Sequence, residues 1–228
     1  TAIVAAVLFV LAHFAMLIGV TTPEKFYFDE VHYVPAARQM LEPVMPQPML
    51  NPMHPPLAKQ LIALSIHSFG DGPLGWRYPG VLFGSLAIVA VYLCGLALFA
   101  AQGPAIAASL LAFFNQMLFV QSRIAMLDIF ALAFGLFAIA AFMHGFRRER
   151  PHLWFALAGI GFGLSTGCKW SGLFGLAVCI VIVAVIRLKD PTRLRAVVDA
   201  MAQGGLRALE VTMTVPGAVG LIRELAPA

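Results

Sequence analysis

The chain has 228 residues, 61% of them hydrophobic and 11% charged, with a mean hydropathy of +0.88. A soluble domain carries roughly a quarter charged residues, so this composition excludes an ordinary soluble protein, and long uncharged runs exclude the alternating strands of a membrane barrel. The net charge of +4 does not argue for a nucleic-acid partner, because the basic residues fall in short clusters between apolar runs, RRER at 147–150 and RLK at 187–189, where they orient membrane helices.

The first predicted element is a helix over 2–20, followed by the sequence FYFDEVHY. Its apolar run is longer than a signal-peptide core and no small-x-small cleavage pattern follows it, so it reads as a retained helix. Residues 21–75 form a long loop rich in proline. Within it HYVPAARQML and PLAKQLIALSI are helix-like. The second, over 57–69, is too short and too polar to span. It reads as an amphipathic helix lying in the interface, with Pro55 and Pro56 suited to a first helical turn. Five more apolar segments follow, 76–99, 103–120, 124–146, 153–169 and 171–188. With 2–20 they give six spans of near the ~20 residues a bilayer requires. Cys94, Cys168 and Cys179 lie in apolar runs and read as small hydrophobes, with no disulfide framework and no metal spacing. The fold class expected is an all-α polytopic helix bundle with juxtamembrane helices.

Parity fixes an orientation for such a bundle. With the N-terminus cytoplasmic and 57–69 flat, RRER and RLK face the cytoplasm. The other face collects FDEVHY, NPMHPPLAK, GWRYP, QSRIAMLD and GCKW.

Those motifs hold the candidate site residues. Asp29 and Glu30 read either as a solvated pair at a helix end or as functional carboxylates in an aromatic setting. Partial desolvation there would raise a carboxylate toward the range of a general base. His54 sits in a loop stiffened by prolines on both sides. Lys59, judged alone, reads as a snorkelling interfacial lysine. Arg77 reads as an anchor beside Trp76 and Tyr78 in the aromatic belt. Arg123 and Asp128 flank a turn that an ion pair between them would close. Lys169 breaks the positive-inside pattern and therefore needs an anion: Asp29, Glu30, Asp128 or a phosphate. Three basic side chains facing a carboxylate pair suit a lipid-linked phosphate. No glycine-rich phosphate loop, zinc cluster or nucleophile elbow is present in the sequence.

In this order, FDEVHYVPAARQ, HPPLAKQLIAL, GWRYPG, SRIAMLD and GCKWSG resemble the protein O-mannosyltransferases over residues 1–190. The lipid A aminoarabinose transferases share the general plan and give an alternative polyprenyl-phosphate sugar transferase. The resemblance implies a C-type glycosyltransferase fold in the cell membrane, a bacterial inner membrane, with its active face non-cytoplasmic. It implies a polyprenyl-phosphate-linked sugar donor, a protein or lipid hydroxyl as acceptor, and inversion at the sugar. Asp29 would be the base toward a serine or threonine hydroxyl, and Glu30 would hold the acceptor or the loop. Arg77, Arg123 and Lys169 would bind the donor phosphate, since positioned cations at a leaving group are a large catalytic contribution. His54, Lys59, His32 and Asp128 would shape the site. No cofactor and no metal are implied.

Residues 193–228 read differently. RLRAVVDAMAQGGLRALEVTMTVPGAVGLIRELA resembles the opening helix–strand–helix of a 2-keto-3-deoxy-6-phosphogluconate aldolase, with Glu210 at that family's active-site glutamate. That family's later strands and Schiff-base lysine are missing from the sequence, so aldolase activity is not expected. The expected division is a membrane module over 1–190 and a cytoplasmic tail over 191–228, whose lone strand has no sheet to join. Two readings compete with sugar transfer: a transporter, which would place its polar residues near the midplane, and an inactive fragment.

Overall fold

A computed structural model describes residues 1–44, 48–145, 151–186, 194–203, 208–211 and 217–225. The clusters RRER and RLK lie outside the described residues. The chain forms two compact units, Thr1–Gly175 and Leu176–Ala228.

The first unit is built around one long helix. The elements are α1 (Ala2–Leu17), α2 (Glu30–Gln39), α3 (Leu57–Phe69), α4 (Pro73–Phe99), α5 (Gln102–Phe113), α6 (Gln116–Gln121), α7 (Asp128–Gly145), α8 (Pro151–Cys168) and the start of α9 (Gly172–Ile182). Helix α4 starts at a proline in its first turn, where the missing N–H is no loss. It packs against α1, α3, α5 and α7, and α8 packs against α7. One apolar cluster joins Val34 of α2, Ile62 of α3, Trp76 of α4, Phe130 of α7 and Cys168 of α8. A second joins Leu8 and Met16 of α1, Ile88 and Tyr92 of α4, and Ala105 of α5. Small residues let the chain approach α4 closely. A Cβ on Gly84 would lie 2.2 Å from Ser122 Oγ, so glycine there admits the turn after α6.

Helices α4 and α7 are long and apolar enough to cross a membrane; α1, α5 and α8 are apolar but shorter. The chain therefore has the character of a membrane protein. The helix expected over 57–69 is α3, and the helix-like HYVPAARQML overlaps α2. Two expected segments differ. The segment 103–120 breaks at Phe114 into α5 and α6. Asn115 accepts from Leu118 N at 3.0 Å and starts α6 as its N-cap, a role asparagine fills well. The segment 171–188 is helical only to Ile182.

After Ile182 the second unit runs β1 (Val183–Ile186), α10 (Leu194–Gln203), β2 (Ala208–Val211) and α11 (Ala218–Leu225). The strands pair in parallel, Val183 opposite Ala208 and Ile186 opposite Val211. The expectation that the tail's strand has no sheet to join is corrected here. The strand containing Glu210 does find a partner, the β-branched run VAVI at the end of the sixth apolar segment. A parallel pair needs a crossover of a dozen or more residues, usually helical, and α10 lies in that crossover.

Candidate functional site

The two acids that end the first apolar run have different surroundings. Glu30 begins α2 and is fully buried. Its carboxylate makes a two-pronged ion pair with Arg77, Oε1 to Nε at 2.7 Å and Oε2 to Nη2 at 2.8 Å. It also accepts from Tyr27 N at 2.7 Å and from Ala125 N at 2.9 Å. Arg77 is equally buried. Its Nη1 donates to Val20 O and Pro23 O, and its Nη2 donates also to Lys25 O. All five guanidinium N–H groups are thus matched by protein acceptors. One buried pair ties the end of the first helical run, the start of α2, the start of α4 and the turn before α7.

This geometry corrects three expectations. Arg77 is no interfacial anchor, and its donors are committed to the protein, so a phosphate would have to displace carbonyls from a buried cation. Glu30 has no lone pair directed to an acceptor substrate, because both oxygens are held. Trp76 is buried as well, packed on Phe26 and donating to Asp71 Oδ1 at 2.7 Å.

Asp29 is half-buried at the N-cap of α2, where its side chain makes no capping bond. Aspartate at this position ordinarily satisfies an amide of the first turn. Among the described residues no hydrogen bond or ion pair holds its carboxylate. Phe28, just before it, adopts φ +54°, a value that is a genuine departure for a bulky residue and signals local strain. Tyr27 and Phe28 are exposed beside it.

The loop carrying His54 faces the same charges. Lys59, in the first turn of α3, is buried and reaches back to Asn51 O at 2.6 Å and His54 O at 2.9 Å. It does not snorkel; burial pushes its ammonium below the usual lysine range. Trp170 Nε1 donates to Met53 O at 2.9 Å. Two donors thus grip the backbone on either side of the His54 ring. That ring meets Tyr33 edge-on, with centroids 6.2 Å apart. Burial lowers the His54 pKa, helped by Lys169 and Lys59 and opposed by Asp128 and Asp29. Tyr33 is pushed up to about 12 by burial and by Asp29 and Asp128.

Lys169 stands in the turn between α8 and α9, with Nζ 2.6 Å from Asp128 Oδ1 at the start of α7. Of the four anions open to it in the sequence, the structure pairs it with Asp128. Asp128 therefore does not close the turn with Arg123. The lysine and aspartate side chains keep 24% and 42% exposure. The turn is tight because Gly172 permits it: a Cβ there would lie 2.5 Å from backbone atoms of Ser165 and Thr166.

The structure thus brings His54 within electrostatic reach of Asp29, Lys59, Asp128 and Lys169, and Tyr33 within reach of Asp29 and Asp128. Arg123 makes its described contacts elsewhere. Its Nη2 donates to Ile18 O and its guanidinium lies 5.2 Å over the Phe119 ring, while Nε is buried without a partner. His32 is exposed on α2. Tyr33 and Trp170 were not singled out from the sequence. Tyr33 carried a signal, next to His32 in an aromatic run, whereas Trp170 read only as part of a polar knot.

A cavity of about 540 Å³ is lined by Asp128, Leu132, Leu136 and Ile139 of α7 and by Gly172 and Gly175.

The dolichyl-phosphate-mannose-protein mannosyltransferase family matches residues 73–197. A polyprenol-phosphate-mannose–protein mannosyltransferase of Corynebacterium glutamicum is 32% identical over 203 residues, which cover 75% of this chain and 39% of that protein. One of the same name from Mycolicibacterium smegmatis is 34% identical over 172 residues, covering 64% of this chain and 33% of its own length. Protein O-mannosyl-transferase 1 of Danio rerio is 27% identical over 197 residues, covering 77% of this chain and 27% of its own. The chain therefore spans under two fifths of the length of these relatives. With more than half of its residues matched, it belongs to the dolichyl-phosphate-mannose-protein mannosyltransferase family.

Proposed function

We propose that this chain acts in transfer of mannose from a polyprenyl-phosphate donor to serine or threonine hydroxyls of proteins. One observation carries the proposal: an uncommitted carboxylate, Asp29, and the partly exposed Lys169–Asp128 pair act on the same two side chains, Tyr33 and His54. Asp29 accepts the hydroxyl proton as the acceptor oxygen attacks the anomeric carbon. The bond from that carbon to the phosphate oxygen breaks, and the sugar is inverted. The polyprenyl phosphate leaves with one more negative charge. Lys169 meets that charge, since it carries three donors and gives one to Asp128. Arg123, whose Nε has no partner, is the second candidate cation. The apolar cavity along α7 suits the first isoprenoid units of the donor, within the ~300–1,000 Å³ of ordinary ligand sites.

The site is placed on the non-cytoplasmic face of a multi-pass protein of the bacterial inner membrane, with residues 1–190 as the membrane module and 191–228 as a cytoplasmic tail. Positive-inside orientation of the clusters at 147–150 and 187–189 supports this placement.

Lys169→Met tests the phosphate role. Transfer from polyprenyl-phosphate mannose to an acceptor peptide is expected to fall by about ten- to a hundredfold, the scale of a hydrogen bond to a charged group, at unchanged protein abundance. Activity that falls only in step with abundance would make the lysine a structural partner of Asp128.

A further inference from the structure

The preceding reading gives His54 no task of its own. Its backbone is fixed more firmly than that of an ordinary loop residue. Lys59 holds the carbonyls of Asn51 and His54, Trp170 holds that of Met53, and Pro52, Pro55 and Pro56 flank it. Asn51 adopts φ +49°, a left-handed turn that asparagine tolerates, and this turn presents its carbonyl to Lys59. So much anchoring of a short loop gives one side chain a defined position.

The ring's protonation follows from its contacts. Nδ1 is buried and has no hydrogen-bond partner among the described residues. A proton on Nδ1 would be a buried donor with no acceptor, which is more costly than a bare lone pair. That disfavours both the imidazolium and the Nδ1–H tautomer. The charged groups around the ring come from every side: Asp29 before α2, Tyr33 on α2, Lys59 on α3, Asp128 on α7 and Lys169 between α8 and α9. Among the charges, Lys169 acts on it most strongly, and with Lys59 it disfavours a third positive charge. The ring is therefore neutral, with its proton on Nε2. The hydrogen bond from Trp170 Nε1 to Met53 O at 2.9 Å sets the His54 loop against the turn that carries Lys169, the cation that would meet the leaving phosphate.

The geometry points to His54 as an uncharged hydrogen-bond donor, through Nε2–H, to an oxygen of the donor phosphate beside Lys169. This rests on the reading that a polyprenyl-phosphate sugar occupies the pocket. An uncharged donor there suits a ligand whose charge grows during reaction, because it adds a directed bond without strengthening the hold of the ground state by a full charge.

The test is binding of undecaprenyl phosphate to the full chain in lipid nanodiscs, for wild type, His54→Phe, His54→Gln and Lys169→Met. Phenylalanine keeps a ring and removes the donor; glutamine places an amide N–H near the Nε2 position. His54→Phe is expected to weaken binding about tenfold or more, the scale of a hydrogen bond to a charged group, and His54→Gln to restore it to within about threefold of wild type. Nitrogen spectra of histidine-labelled protein at neutral pH are expected to show a neutral, Nε2-protonated ring at this position. Normal binding by His54→Phe with loss in Lys169→Met overturns the role of His54 alone. Equal loss in the Phe and Gln variants, or an imidazolium signal, also overturns it. Absence of binding by wild type, or undiminished binding by Lys169→Met, overturns the underlying phosphate site instead.

Discussion

Adjacent carboxylates in one dipeptide have been given opposite environments. Glu30 is sealed beneath a guanidinium and two amides, while Asp29 stands at the helix start with no partner among the described residues. A buried ion pair is held by mutual compensation, so removing one member leaves the other charge stranded. Glu30→Gln and Arg77→Met are each expected to destabilise the folded protein by about 3–5 kcal/mol, read as a lowered unfolding midpoint in detergent. The double variant Glu30→Gln/Arg77→Met should lose less than the sum of the two, since neither charge is then left alone. Additive losses would mean that the two groups are independent. From the sequence, all five motifs were visible, but the ownership of their charges was not. Glu30 and Arg77 lie 47 positions apart, and Ala125 lies 95 from Glu30. No local pattern says that a backbone amide so distant will fill the second lone pair. Arginine next to two aromatics looks the same whether it anchors in an interface or closes a core.

Among the elements, those with a local cause were legible. Pro56 before LAKQLIALSIHSF and Gly70 after it bound α3 as read from the sequence. The polar knot CKWSG was legible as a break between helices. What escaped was where apolar runs would stop being helical for reasons within them. Asn115, a side chain that prefers the cap, interrupts α5, and hydropathy weighs it as one polar residue among many apolar ones. VAVI leaves α9 because a strand lies parallel to it, and β-branched residues accept either state. The turn presenting Lys169 depends on Gly172. Gly172→Ala would push a Cβ into the backbone of Ser165 and Thr166, and overpacking of this kind destabilises by about 1–3 kcal/mol. Weaker undecaprenyl-phosphate binding is expected with it, because Lys169 moves with the turn. Unchanged binding and stability would mean that α8 and α9 open freely here.

Single cysteines at Met45, Gln102, Glu149 and Lys189, in a background without Cys94, Cys168 and Cys179, report the faces directly. With an impermeant thiol reagent applied outside intact cells, only the first is expected to react. Reaction of Glu149→Cys from outside would contradict the flat placement of α3 that underlies the parity of the spans.

The most direct measurement compares the two neighbouring acids in the same assay and the same preparation. Asp29→Asn keeps size and removes the base. Mannose transfer should fall by about two to four orders of magnitude, the range for loss of general base catalysis, with the unfolding midpoint unchanged. Glu30→Gln should show the reverse emphasis, a lowered midpoint with transfer falling in proportion to folded protein. Normal transfer by Asp29→Asn, or a loss of stability in it equal to that of Glu30→Gln, would contradict the assignment of chemistry to Asp29 and of structure to Glu30.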